Sequence, residues 1–188
     1  MGVETVVKEK RPQVHIYFGE GKGKTTAALG QALRAWGQGW RVLFVQFLKD
    51  SADPSGEGAA SAALGKRGVL RRSRLPCSAI ARPSAAEREE LRKETRRMLK
   101  GAVDSIASGK FDAVILDEIL VAWKLGLVRV KEIRKAVDAA GEAGVRIIVL
   151  TGRWAPKSLV GSADLVTEVR KVKHPYDRGE GAREGIDF

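Results

Sequence analysis

Residues 14–26 read Val14-His15-Ile16-Tyr17-Phe18-Gly19-Glu20-Gly21-Lys22-Gly23-Lys24-Thr25-Thr26. Five β-prone residues run into a turn built on three glycines, and residues 24–36 continue with helical spacing. Glycines let the backbone curl so that successive amides point inward. A helix starting there adds its positive pole, Lys24 adds a mobile cation, and Thr25 adds a hydroxyl suited to a hard ion such as Mg²⁺. Strand, glycine turn and helix together read as a phosphate loop, with Gly19, Glu20, Gly21, Lys22, Gly23, Lys24, Thr25 and Thr26 as candidate nucleotide-binding residues.

The loop is short. Gly19 and Gly23 enclose three residues, where the common pattern has about four, and Phe18 stands where the first glycine usually does. A shorter loop cannot follow the same path around the same phosphates. The spacing therefore points to a shifted nucleotide pose and to chemistry other than hydrolysis of the terminal phosphate.

Outward from the loop, Gly37 and Gly39 stop the first helix, and residues 41–47 form a second apolar run (Val42, Leu43, Phe44, Val45) of the kind buried on both faces of a sheet. Residues 49–83 are Gly, Ala, Ser and Arg without clear period and are expected to be loop with one short helix. Ser84-Ala85-Ala86-Glu87 has capping-box spacing. It opens a helix with Leu91, Met98, Leu99, Ala102, Val103 and Ile106 on one face, ending near Gly109. Residues 113–116 and 145–150 are further strands, separated by a helix over 130–143, and residues 165–169 are a last strand. Strands alternating with helices predict one α/β domain over residues 1–188, a mainly parallel sheet flanked by helices in P-loop NTPase-like, RecA-like fashion. The ends, 1–11 and about 171–188, are expected to be irregular and to order on a ligand or partner.

The chain has 188 residues, 44% of them apolar, and one cysteine. That length buries a core without staples, and a single thiol excludes an internally disulfide-bonded secreted scaffold. There is no run of 18 apolar residues and no signal segment in residues 1–10, so no membrane partner and a soluble, cytoplasmic protein are expected. Of the net charge of +11, residues 61–110 carry most, with 13 basic and 5 acidic groups. Lys66, Arg67, Arg71, Arg72, Arg74 and Arg82 form a basic cluster that could steer a polyanion. A nucleic-acid-stimulated NTPase using residues 66–82 is thus an alternative. No aromatic residue is interleaved there to stack bases, which makes nucleic acid the less favoured partner.

Val114-Ile115-Leu116-Asp117-Glu118 is an apolar strand ending in two carboxylates, where phosphate-loop proteins hold a metal ligand or a base. One acid can join a Mg²⁺ shell and the other can support it. Arg153 of Thr151-Gly152-Arg153 emerges on the carboxyl edge of the sheet, where an arginine can clamp phosphate. His15 reads as a packed strand residue and Cys77 as an inert thiol. No Ser/His/Asp arrangement or zinc spacing can be picked out, so the nucleophile of an enzyme here would come from its substrate.

With these residues in place, the sequence resembles the P-loop class of ATP:corrinoid adenosyltransferases. The resemblance is carried by GEGKGKTTAALGQALRAWGQGWRVLFVQFLKD at 19–50, VILDE at 114–118, TGR at 151–153 and ADLVTEVRKVKHPYDRGEGAREGIDF at 163–188. It implies transfer of the 5′-deoxyadenosyl group of ATP to reduced cobalt in a corrinoid, with release of triphosphate and ATP bound in a reversed sense. Carried over by position, Gly19, Glu20, Gly21, Lys22, Gly23, Lys24, Thr25 and Thr26 would cradle the triphosphate, with Lys24 balancing leaving-group charge. Thr25 and Glu118 would hold Mg²⁺, and Arg34 and Arg153 would contact the nucleotide. A homodimer and an electron-donor protein are also implied. Family members carry a Phe-x-Trp segment that displaces the corrinoid's lower ligand. Residues 69–83 contain no aromatic residue, which leaves the corrinoid-binding residues unassigned.

Overall fold

The computed structural model describes residues 11–50, 56–63, 65–75 and 83–186. In chain order they form β1 (Gln13–Phe18), α1 (Lys24–Gly37), β2 (Val42–Asp50), α2 (Gly56–Ala63), β3 (Gly68–Ser73), α3 (Ala85–Ala107), β4 (Ala113–Asp117), α4 (Ile119–Lys124), α5 (Val130–Glu142), β5 (Ile147–Gly152), α6 (Lys157–Val160) and β6 (Leu165–Glu168). Short 3-10 turns lie at Gly65–Arg67 and Pro175–Arg178. All six strands join one sheet in the order β3-β2-β4-β5-β1-β6, and every pairing is parallel.

The inner strands explain that arrangement. Every residue of β4 and of β5 is buried, as parallel strands covered on both faces require. Side chains alternate in period two: Val114 and Leu116 enter the core under α3, α4 and α5, while Ala113 and Ile115 enter the core under α1. The helix α1 buries only Ala28, Ala32 and Ala35. Small residues on that stripe let its backbone sit close to the sheet and fix the height of its N-terminus. The long α3 starts at the expected capping box, with Glu87 N–H donating to Ser84 Oγ at 3.3 Å and Ser84 N–H to Glu87 Oε2 at 2.8 Å. It buries Leu91, Met98, Leu99, Ala102 and Ile106.

Within residues 49–83 the one short helix expected there is α2 (Gly56–Ala63), while the two strand segments depart from the expected loop. The strand β2 runs on to Asp50, α2 follows, and β3 pairs with β2. As an edge strand, β3 needs only a short apolar pair, Val69 and Leu70, and its arginines are of the kind that guard an exposed edge. Two guanidiniums of the basic cluster, both exposed, contact neighbouring elements, and the Lys66 side chain lies outside the described residues. Arg71 donates to Gly101 O of α3 at 2.9 Å, Arg74 N–H donates to Glu94 Oε1 at 3.2 Å, and the Arg67 guanidinium lies 5.9 Å from the Trp36 ring centroid. Arg82 and Cys77 lie outside the described residues. The short helices α4 and α6 go beyond the sequence reading, and residues 171–186 are irregular apart from the one turn. None of the described helices is long and apolar enough to cross a membrane.

Candidate active site

The carboxyl ends of β1, β5, β4 and β2 stand side by side, and the loop of residues 19–23 crosses above them into α1. Two glycines of that loop are demanded by their neighbours. Gly19 has φ +117°, and a Cβ there would lie 2.4 Å from Val169 O; a Cβ on Gly21 would lie 2.7 Å from the Arg170 backbone. The segment leaving β6 is the wall behind the loop. Gly21 N–H donates to Val169 O at 2.8 Å, Val169 N–H to Phe18 O at 2.7 Å, and Gly19 N–H to Arg153 O at 3.2 Å. Gly21→Ala is expected to cost about 1–3 kcal/mol through overpacking, seen as a lower urea midpoint at unchanged slope. An unchanged midpoint would mean that Val169 and Arg170 move aside at no cost.

Lys24, at the first position of α1, folds back over the loop and donates to Gly21 O at 2.7 Å. Burial pulls its ammonium below the usual lysine range, and the Glu118 carboxylate opposes that. A half-buried cation spanning a ring of glycine amides is poised for an anion with several oxygens.

One turn of the network below, Asp117 is completely buried. Its Oδ1 accepts from Thr25 Oγ1 at 3.0 Å and from Thr151 Oγ1 at 2.6 Å; its Oδ2 accepts from Gln46 Nε2 at 3.4 Å and faces Lys49 Nζ at 3.5 Å. Thr151 in turn accepts from Glu118 N–H at 2.9 Å. Asp117 is therefore committed to holding the loop helix, β5 and β2 together. Glu118, with φ +63°, turns out of the strand in a left-handed conformation that is strained for a non-glycine residue. Burial, reinforced by the Asp117 charge, raises its carboxyl above the usual range, a site at which a bound cation would favour the ionised form.

Gln46 and Lys49 reach Asp117 together because β2 is irregular. Three residues apart on a regular strand, they would point to opposite faces. The β2–β3 register instead shifts between Gln46 and Asp50, and Leu48 takes φ +60° within that bulge. Bulges re-aim side chains in this way next to sites. Lys49 also pairs with Glu57 of α2 at 3.8 Å.

Of the residues expected from the sequence, Gly19, Glu20, Gly21, Lys22, Gly23, Lys24, Thr25, Glu118 and Arg153 converge on this edge. Arg153 Nε lies 3.6 Å from Glu20 Oε1, an exposed pair weak enough to exchange for a phosphate. Its guanidinium is 5.6 Å from the Trp154 ring, which Lys124 Nζ approaches at 5.7 Å. Lys22 faces His174, Tyr176 and Arg183 of the C-terminal segment across a cleft of about 110 Å³. Thr26 points toward an apolar cavity of about 460 Å³ lined by Leu29, Leu33, Trp36, Phe44 and Val69. Arg34 is not brought to the loop. It sits ten residues past Lys24, about 15 Å along the helix, with its charge on Tyr17 of β1. Gln46, Lys49 and Thr151 are site residues that the sequence reading did not name. The Val-Gln-Phe-Leu-Lys run, with two polar residues in an otherwise apolar strand, is the signal that points to the first two.

Six parallel strands flanked by helices, with a glycine loop leading from the first strand into the first helix, make a P-loop NTPase-like α/β fold. Residues 10–188 match the family described as ATP:corrinoid adenosyltransferase BtuR/CobO/CobP, and the chain belongs to that family. It is 31% identical over 184 residues to the corrinoid adenosyltransferase CobA of Salmonella typhimurium, covering 96% of this chain and 88% of that protein. Identity to the corrinoid adenosyltransferase of Escherichia coli K12 is 30% over the same shares. To that of Pseudomonas aeruginosa it is 29% over 186 residues, 96% of this chain and 86% of the relative.

Proposed function

We propose that the chain transfers the 5′-deoxyadenosyl group of ATP to the Co(I) centre of a reduced corrinoid and releases triphosphate. The observation that carries this reading is the match of residues 10–188 to ATP:corrinoid adenosyltransferases, with the short loop and its lysine assembled over the carboxyl edge of the sheet. In the reaction the cobalt electron pair attacks C5′, a Co–C bond forms, and the C5′–O bond breaks with its pair going to triphosphate. No proton need move. The protein's task is to hold C5′ open to cobalt and to stabilise charge on the departing oxygen.

The loop amides of residues 19–23 and the Lys24 ammonium suit the triphosphate, and Arg153 can swing from Glu20 to a phosphate oxygen. Thr25 and Glu118 offer hard oxygen donors, and among the described residues no three His, Cys, Asp or Glu side chains converge. That donor set fits Mg²⁺, which takes one or two protein oxygens and completes its shell with water and phosphate. When bound, it would neutralise charge on the leaving group. Asp117 would act behind it by orienting Thr25.

A homodimer, an electron-donor protein and a cytoplasmic setting belong to the same reading through the family resemblance. The nucleic-acid alternative is disfavoured because no aromatic residue is interleaved in residues 66–82 to stack bases, and the Arg67 and Arg71 guanidiniums contact Trp36 and Gly101. With ATP, Mg²⁺ and chemically reduced cobalamin, the protein is expected to form a light-sensitive alkylcobalt product, followed by its visible spectrum before and after illumination. A spectrum that never departs from that of the enzyme-free control would refute the assignment.

A further inference from the structure

Gln46 in β2 is fully buried, and its amide is half satisfied: Nε2 donates to Asp117 Oδ2 at 3.4 Å, while Oε1 has no hydrogen-bond partner. Reversing the amide would set Oε1 against a carboxylate oxygen, so Asp117 dictates which way the group faces. A buried carbonyl oxygen without a donor has given up water for nothing, and such atoms are few in native proteins. A donor belongs at this position.

The surroundings limit what that donor is. Gln46 stands opposite Asp117 in the β2–β4 register, and Asp117 holds the Thr25 hydroxyl at 3.0 Å. Phosphate oxygens at the loop are acceptors and cannot serve. Water polarised by a divalent cation is a strong donor, and an acceptor sharing Asp117 with Thr25 would belong to the second shell of a cation held there by Thr25 and Glu118. We propose that Gln46 Oε1 accepts a hydrogen bond from a water in the hydration shell of that cation, which makes Gln46 a positioning residue for the metal. The inference rests on the cation assignment made under the proposed function.

Gln46→Met keeps the length and volume of the side chain and deletes the acceptor, together with the 3.4 Å donor to Asp117. Binding of Mn²⁺ would be followed by the spin-resonance signal of the free ion, in the presence of ATP and separately of inorganic tripolyphosphate. The expected result is an affinity about tenfold weaker with both, while the thermal midpoint without cation falls by no more than a few degrees, because the long 3.4 Å bond to Asp117 is lost together with the unsatisfied acceptor. Gln46→Leu gives the same comparison should the methionine variant fold poorly. An Mn²⁺ affinity within twofold of wild type would overturn the inference. So would a loss seen with ATP but not with tripolyphosphate, since that would make a ribose hydroxyl the donor. A wild-type protein that binds Mn²⁺ with neither anion would overturn the cation assignment itself.

Discussion

Replacing Lys24 by alanine is expected to lower kcat/KM for adenosyl transfer by about 10²- to 10³-fold, the usual consequence of deleting one preorganised charge stabiliser. The lysine already lies across the loop, 2.7 Å from Gly21 O, so little reorganisation separates its resting contact from a phosphate oxygen. Triphosphate is a better leaving group when charge developing on its bridging oxygen is met by a cation, and this interaction grows toward the transition state. The loss should therefore appear in kcat as well as in the KM for ATP. Arg34→Ala, about 15 Å along the helix from Lys24, leaves the triphosphate contacts intact, so its loss should appear in the KM for ATP and not in kcat. Near-normal turnover in the Lys24 variant would mean that the triphosphate is held elsewhere.

Replacing Asp117 by alanine is expected to destabilise the protein by about 3–5 kcal/mol, the range for removing one partner from a buried charged network. The carboxylate is fully buried, and its removal strands the hydroxyls of Thr25 and Thr151 and the Gln46 amide, with Lys49 able to turn to solvent and to Glu57. At about 2–4 °C per kcal/mol for a chain of this size, the thermal midpoint should fall by roughly 6–20 °C without any nucleotide present. Asp117→Asn should fall between the two, because it still accepts from Thr151 but turns an amide N–H₂ toward Gln46 or Lys49. A midpoint for the alanine variant within 2 °C of wild type, on this same scale, would show that the network does not join the loop helix to the sheet.

The residues that were legible in the sequence are those whose local pattern is sufficient. Alternation of apolar strands and helices marked the parallel α/β sheet, and the strand, glycine turn and helix at 14–36 marked the loop, which follows β1, one strand in from the edge. Ser84 and Glu87 marked the start of α3. The strand β3 was hidden because an edge strand buries little, and Arg71 and Arg72 mask its two apolar residues. Gln46 and Lys49 were hidden for a different reason. Two polar residues in an apolar strand single them out, but their convergence depends on a bulge with Leu48 in the left-handed region, which residue types alone do not announce. The division of labour between Asp117 and Glu118 follows from Thr151, which bonds the side chain of one and the backbone of the other across two strands. Arg34, matched by resemblance as a nucleotide contact, lies about 15 Å along the helix from Lys24, so any contact it makes is with a part of the nucleotide other than the phosphates at Lys24.

The measurement closest to the centre of this reading is the identity of the inorganic product after the protein is incubated with ATP, Mg²⁺ and chemically reduced cobalamin. Attack at C5′ predicts inorganic triphosphate in amounts equal to the alkylated cobalt. ADP or orthophosphate without triphosphate would contradict it, because either product requires the nucleotide to present a phosphorus rather than a sugar carbon to the attacking group.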